Sequence, residues 1–171
     1  MLLTPVNITL IITATVTALI AGLFYAWSCS VTPGLGRLLD ASYIEALQAC
    51  NRAILNPVFY ACFFGAMFLL PVSTYLHYTP SPSIRFWLLL AASALYLGGV
   101  MAVTIGGNIP LNEALDKFDL RHASAEAISQ ARQQFEKRWN MLNNIRTVTS
   151  ALSVTLIVMA CLSHDNTQGS R

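Results

Sequence analysis

Four long stretches of the chain carry no charged side chain, and this feature constrains the fold more than any other. They cover residues 1–36, 53–84, 86–112 and 147–164. A helix needs about 20 mostly apolar residues to cross the hydrocarbon layer of a membrane, and each stretch contains or adjoins such a segment. Lipid offers the backbone no hydrogen-bonding partner, so helix is the conformation expected there. The predicted spans are residues 8–27, 57–76, 86–105 and 145–162.

Composition agrees with a membrane location. Of the 171 residues, 55% are hydrophobic and 11% are charged, whereas soluble domains carry about 25% charged residues. We therefore expect an all-α fold, a four-transmembrane-helix bundle, with residues 1–171 forming a single integral membrane domain in contact with the lipid bilayer. A net charge of +2 without basic clusters argues against a nucleic-acid partner. The four cysteines form no metal-binding or redox motif, so no metal site is expected.

The two longer connections between the spans are predicted to contain helical extensions on the cytoplasmic side. Ser42 and Glu45 have the spacing of a capping box. A helix is expected to begin directly after Ser42 and to run into the second span, with a bend near Pro57. Ser124 suits an N-cap for a helix over residues 125–139, which would merge with the fourth span.

Basic residues are concentrated on one side of the predicted bundle. With four spans, both termini share a side with the turn at 78–85, and the connections at 28–52 and 106–144 share the other. The positive-inside rule places these connections in the cytoplasm and the termini outside, in a multi-pass protein of a bacterial inner membrane. The connection side carries Arg37, Arg52, Lys117, Arg121, Arg132, Lys137, Arg138 and Arg146, whereas the terminal side carries Arg85 and Arg171.

Polar and aromatic side chains cluster where the first and third spans end and the second and fourth begin. Successive spans alternate in direction, so these four ends lie at the same membrane face in either orientation. Residues three or four apart share one side of a helix, and two helices carry a polar stripe of this kind. A cation within a span is expected to face the bundle interior or an aqueous cavity, although Arg146, near the start of its helix, could instead extend to the membrane interface. The stripe on the fourth helix consists of Trp139, Asn143, Arg146, Ser150 and Ser153. The stripe at the second span consists of Arg52, Asn56 and Tyr60.

The same residues have a purely structural interpretation. Asn, Ser and Thr often join membrane helices through hydrogen bonds, and Trp is common at membrane interfaces. Gly98, Gly99 and Gly106 are expected to permit close contact between helices. An interior polar cluster is therefore either a binding site or a set of contacts that holds the bundle together.

Two polar motifs, N-x-P-x-N at residues 108–112 and W-N-x-x-N-x-x-R at residues 139–146, resemble those of the anthrone oxygenase family. The first-span stretch at 22–28 and Pro33 are similar to the same pattern. The resemblance implies a small four-helix integral membrane protein. Some fungal members of this family oxidise anthrones to anthraquinones in polyketide biosynthesis, so the implied activity is that of a monooxygenase that needs no cofactor and no metal.

The resemblance also implies which residues form the site. The protein would bind a flat apolar aromatic substrate and stabilise its oxyanion, a task for fixed hydrogen-bond donors in a dry site. Arg146, Asn112 and Asn143 are the expected catalytic residues. No catalytic base is assigned. Asp40, Glu113 and His122 lie in the connections at the same end of the predicted bundle, but the sequence does not show that any of them reaches the site. The expected substrate-binding residues are Asn108, Asn56, Trp139, Trp27 and Tyr25.

Two functions remain open at this point. One is a cofactor-independent oxygenase that converts an anthrone-like or other lipid-soluble phenolic aromatic to a quinone with O2. The alternative is a non-catalytic four-helix membrane protein that binds a small ligand or a partner at its cytoplasmic polar cluster. The sequence also leaves open the true substrate and whether the protein forms a homo-oligomer.

Overall fold

The structure is a computed structural model that describes residues 4–163; Arg171, counted above for orientation, lies outside them. The described residues form five helices. All except α2 are long and apolar enough to cross a membrane, which confirms the all-α fold with four spans and makes the chain a multi-pass membrane protein. The helices are α1 (Pro5–Leu35), α2 (Asp40–Ala53), α3 (Pro57–Leu76), α4 (Ile84–Asp116) and α5 (Ala125–Leu162).

The four long helices are arranged as a square. Helix α1 packs against α3 and α5, and α4 packs against the same two helices. Large apolar side chains such as Leu19, Phe68 and Leu152 stay exposed on the outer faces, as expected where lipid replaces water. The short α2 lies across one end of the square, where Tyr43, Leu47 and their neighbours pack against α4 and α5.

Polar caps and prolines fix where the helices begin. Thr4 accepts a hydrogen bond from the Asn7 backbone N–H, and Pro5 follows it at the first helical position. Ser124 caps α5 by accepting from the Ala127 N–H at 3.3 Å. Helix α5 then continues for 38 residues, so the predicted merger of the extension with the fourth span is confirmed.

The predicted course of α2 was wrong at both ends. The helix begins at Asp40 after Leu39, so Ser42 lies in its first turn and forms no capping box. It ends at Ala53 and does not run into the second span. Asn56 is extended, with φ −130° and ψ 160°, because a residue before proline avoids the helical region. Pro57 therefore starts a new helix after a break rather than bending a continuous one.

Close contact between α4 and α5 depends on glycines, but not on the set predicted. A Cβ atom at Gly99 would lie 2.4 Å from Cγ2 of Thr149, and one at Gly107 would lie 2.7 Å from a leucine of α5. At Gly98 and Gly106 a Cβ would meet nothing within 4 Å. The expectation was correct for Gly99 and wrong for Gly98 and Gly106, which face open space.

Wider π-helical turns interrupt α1 and α4. Two of them, Trp27–Val31 and Thr104–Asn108, each end two residues before a proline, Pro33 and Pro110. Proline clashes with the carbonyl four residues before it, and a wider turn relieves this clash. Turns of this kind are frequent at functional sites, and both carry residues of the polar cluster.

Candidate functional site

A cavity of about 180 Å³ lies at the end of the bundle where the four polar clusters were expected to meet. We call it the inner cavity. Its walls are mostly aromatic and aliphatic, with a few polar groups among them. The aromatic residues are Phe24, Trp27, Phe59, Tyr60, Phe63, Phe64 and Trp139, and the polar ones are Asn51, Thr104, Asn108, Asn112, Asn143 and Arg146.

Arg146 is a buried cation that has no acidic partner among residues 4–163. Its side chain is 7% exposed, and no carboxylate of residues 4–163 forms an ion pair with it. One terminal nitrogen donates to Oδ1 of Asn143 at 2.9 Å, and the other lies 3.4 Å from the Thr104 hydroxyl. Nε has no hydrogen-bond partner within the described residues. The guanidinium carbon lies 4.4 Å from the centre of the Phe24 ring, so the charge is held in apolar surroundings.

Asn143 determines where the Arg146 guanidinium lies. Its Nδ2 donates to the Ser28 hydroxyl at 2.8 Å and lies 3.3 Å from the Phe24 carbonyl oxygen. These bonds orient the amide so that Oδ1 accepts from Arg146. Asn143 therefore joins α1 to α5, as expected of a buried amide in a bundle, and also holds the cation in place.

Asn108 is the other buried amide of the inner cavity. It is 1% exposed, and neither Oδ1 nor Nδ2 has a hydrogen-bond partner in any residue that the structure describes. Nδ2 of Asn51 also lacks one. Leaving a buried polar group unsatisfied costs about 1–3 kcal/mol, so an amide in this state is unusual. It lies on the π turn of α4, beside the cavity and not within a helix contact that would satisfy it.

Trp139 and Asn112 form a second polar contact in the wall. The indole Nε1 of Trp139 donates to Oδ1 of Asn112 at 2.7 Å. The Trp139 ring centre lies 5.2 Å from that of Trp27 and 6.0 Å from that of Phe135. These aromatic contacts fix the Trp139 ring, and Asn112 satisfies its only donor.

Two of the residues predicted to bind substrate lie elsewhere. Tyr25 is 62% exposed on the outer face of α1 and does not line the inner cavity; its neighbour Phe24 faces inward. Asn56 caps α3, where its Oδ1 accepts from the Phe59 N–H at 3.0 Å. Its Nδ2 donates to the Ala53 carbonyl at 2.9 Å, so its polar atoms are used within the connection between α2 and α3.

The stripe expected at the second span, Arg52, Asn56 and Tyr60, does not form. It needed one continuous helix through residues 52–60, and the break before Pro57 separates them. Arg52 instead pairs with Asp116 of α4 at 2.7 Å, whereas Tyr60 still lines the inner cavity. All five residues of the stripe on α5, by contrast, are buried.

Sequence reasoning missed several residues of the cavity wall. Phe24, Phe59 and Phe63 were not singled out because phenylalanine is ordinary in an apolar span. The sequence alone does not select Phe24, because intervals of three or four from Thr13 and Thr17 lead either to it or to Tyr25. Burial in the structure, where Ile20 is the next buried residue, identifies Phe24.

A second cavity of about 280 Å³, the outer cavity, adjoins the inner one. Both are lined by Asn51, Ile54, Leu55, Ile109 and Asn112. These shared residues come from the end of α2, the break before α3 and the last part of α4. The outer cavity adds the charged residues Arg52, Glu113, Asp116 and Lys117.

The three residues considered as a base differ in their surroundings. Asp40 pairs with Arg132 at 2.9 Å, and His122 pairs with Asp119 at 2.7 Å. The hydrogen bond from His122 lowers the pKa of Asp119 below its ordinary value. Glu113 lines the outer cavity. Within residues 4–163, no three His, Cys, Asp or Glu side chains lie close enough together to hold a metal ion.

Comparison with known proteins assigns the chain to a family. A family model described as anthrone oxygenase matches residues 58–156, more than half of the sequence. The matched region contains Asn108, Asn112, Asn143 and Arg146, whereas Trp27 precedes it. No curated protein and no solved structure matches the chain. The chain belongs to the anthrone oxygenase family.

Proposed function

We propose that the protein is an oxygenase that uses O2 to convert an anthrone-like, lipid-soluble phenolic aromatic to a quinone, without a cofactor. The observation that carries this proposal is the buried Arg146, which has no acidic partner in the described part of the chain and lines a cavity with aromatic walls. A fixed cation in a dry site stabilises a developing oxyanion strongly. Aromatic walls suit a flat ring system.

The chemistry needs a charged intermediate that such a site favours. Loss of a proton from the methylene carbon of an anthrone gives an anion whose charge lies largely on the carbonyl oxygen. This anion reduces O2 by one electron, and recombination of the two radicals forms a carbon–oxygen bond. Protonation gives a hydroperoxide, and loss of water from it leaves the second carbonyl. One anthrone and one O2 thus become one anthraquinone and one water.

Each polar residue has a separate role in this proposal. Arg146 donates to the oxyanion, and Asn143 positions Arg146. Asn112, whose Oδ1 already accepts from Trp139, offers its amide nitrogen as a second donor to the oxyanion, and Trp139 with Trp27 forms a stacking wall. The proton leaves toward the outer cavity, where Glu113 and Asp116 are the carboxylates of the lining.

We also propose where the substrate and the protein are located. The inner cavity lies at the end of the bundle that carries most basic residues, so the positive-inside rule places it on the cytoplasmic side of a bacterial inner membrane. Leu55 and Ile109 are exposed beside the shared part of the two cavities. An apolar aromatic dissolved in the membrane could therefore reach the inner cavity without crossing bulk water.

The direct test is oxygen consumption by the purified, metal-free protein with emodin anthrone. We expect a rate above the spontaneous oxidation of the substrate. Arg146→Ala and Asn112→Ala should abolish this excess while the helical circular dichroism spectrum is unchanged. Asn144→Ala, at an exposed position of α5, is the matched control and should retain activity. A folded wild-type protein with no rate above the spontaneous one would contradict the proposal.

The alternative is a non-catalytic membrane protein whose polar cluster holds the bundle together and binds a ligand or partner. The bond from Asn143 to Ser28 and the 2.8 Å contact between the Ser28 and Thr147 hydroxyls favour it, because both join α1 to α5. If Arg146→Ala and Asn112→Ala both unfold the protein, and the wild type shows no excess rate, this alternative is supported.

A further inference from the structure

The unpartnered atoms of the inner cavity differ in what they require of a ligand. Nε of Arg146 and Nδ2 of Asn51 are donors, and any ligand oxygen, whether of a carbonyl, an ether or a phenolate, can accept from them. Asn108 presents a donor and an acceptor, both without a partner. Its acceptor needs a group that donates a proton, and among ligand groups a hydroxyl does so, whereas a carbonyl, an ether or a phenolate does not.

This requirement does not depend on how the Asn108 amide is oriented. Turning the amide over exchanges Oδ1 and Nδ2 but still leaves one acceptor and one donor. The residue is 1% exposed, so bulk water does not satisfy it. A buried group without a partner costs free energy, and a ligand that completes its hydrogen bonds removes this cost.

We infer that Asn108 is a specificity-determining residue that selects an aromatic ligand carrying a protonated phenolic hydroxyl. The hydroxyl donates to the amide oxygen of Asn108, and another oxygen of the same ligand accepts from Arg146. The inference rests on the proposed function, because it concerns the same cavity and the same class of flat aromatic. A ligand without the hydroxyl leaves the Asn108 acceptor unsatisfied, and a site built for a hydroxyl discriminates strongly against such an analogue.

The test measures binding and not turnover. The full-length protein is placed in phosphatidylcholine nanodiscs with Trp87, which is exposed outside the inner cavity, replaced by Phe, so that quenching of Trp27 and Trp139 fluorescence reports occupancy of the inner cavity. The probes are 2-hydroxyanthraquinone and 2-methoxyanthraquinone, which share a skeleton and an oxygen but differ in the donated proton. The pH is chosen so that the absorption spectrum shows the neutral phenol. We expect the hydroxy compound to bind about tenfold more tightly, or better.

Two variants show whether Asn108 causes the difference. Asn108→Leu should bind both probes equally, because it keeps the size of the side chain and removes the acceptor. Asn144→Leu, at an exposed position of the same bundle, should keep the wild-type preference.

Each outcome bears on the inference. Equal binding of the two probes by the wild type overturns it and leaves the proposed aromatic site in place. A folded Asn108→Leu protein that keeps the preference also overturns it. If neither probe binds the wild type, the proposed function fails together with the inference. The comparison of probes on the wild type is decisive even if the variant does not fold.

Discussion

At the scale of single residues, Gly99 sets how closely α4 approaches α5. A methyl group there would lie 2.5 Å from Cβ of Thr149, an atom that cannot move without its backbone. We expect Gly99→Ala to lower the free energy of unfolding by about 1–3 kcal/mol, the usual cost of overpacking. Thermal or denaturant unfolding in detergent measures this change.

Gly98→Ala is the matched control, because its Cβ would meet nothing within 4 Å. Gly107→Ala should have an intermediate effect, since the nearest atom is the end of the flexible Leu142 side chain. If the Gly99→Ala and Gly98→Ala proteins are equally stable, α4 does not approach α5 this closely at Gly99.

Residue-scale features were only partly predictable from the sequence. Asn143 could be placed in the interior, because a short amide in an apolar helix has few alternatives, whereas Arg146 could also have reached the interface through its long side chain. Tyr25 could not be distinguished from Phe24 by residue type, since an aromatic with a polar tip suits both a binding site and an interface. Burial in the structure separates them: Phe24 is 4% exposed and Tyr25 is 62% exposed.

At the scale of helices, Arg132 ties the connection between α1 and α2 to α5. Its guanidinium donates to the Gly36 and Leu38 carbonyl oxygens at 2.8 Å, and it pairs with Asp40 and Glu136. The side chain is 14% exposed, so water competes weakly for these bonds. One residue thus holds the segment that places α2 across the end of the bundle.

We expect Arg132→Met to destabilise the protein by about 1.5–3 kcal/mol, the range for hydrogen bonds to charged groups. It should also make the connection at residues 36–39 more sensitive to proteolysis. Unfolding in detergent and mapping of limited proteolysis sites measure the two effects. Arg138→Met, at an exposed position of the same helix, is the control. Unchanged proteolysis in Arg132→Met would show that the connection does not depend on this residue.

Helix-scale features were the most predictable ones, with one exception. The four spans follow from the long charge-free stretches, because lipid leaves the backbone no choice but helix. The break between α2 and α3 has a visible signal in Asn56 and Pro57, yet a proline can either bend a helix or start a new one. The Asn56 side chain favours a new helix over a bend, because it accepts from the Phe59 N–H and so caps α3.

At the scale of the whole molecule, the distribution of basic residues predicts how the protein lies in the membrane. Most Lys and Arg residues lie on the connections at the inner-cavity end, and Arg85 is beside the turn at the other end. Helices of alternating direction explain why the polar clusters meet at one end, but they do not say which side of the membrane that end faces. The positive-inside rule predicts that it faces the cytoplasm.

Cysteine labelling in bacterial spheroplasts tests this orientation. The four native cysteines are first replaced by serine or alanine. A single cysteine is then introduced as Ser81→Cys, in the turn before α4, or as Ala125→Cys, at the start of α5. Both positions are exposed. With a membrane-impermeant maleimide we expect Ser81→Cys to react in intact spheroplasts and Ala125→Cys to react only after permeabilisation. Leu152→Cys, on the lipid-facing side of α5, should react in neither case. The reverse pattern would place the inner cavity on the outer side, where the substrate would have to arrive from outside the cell.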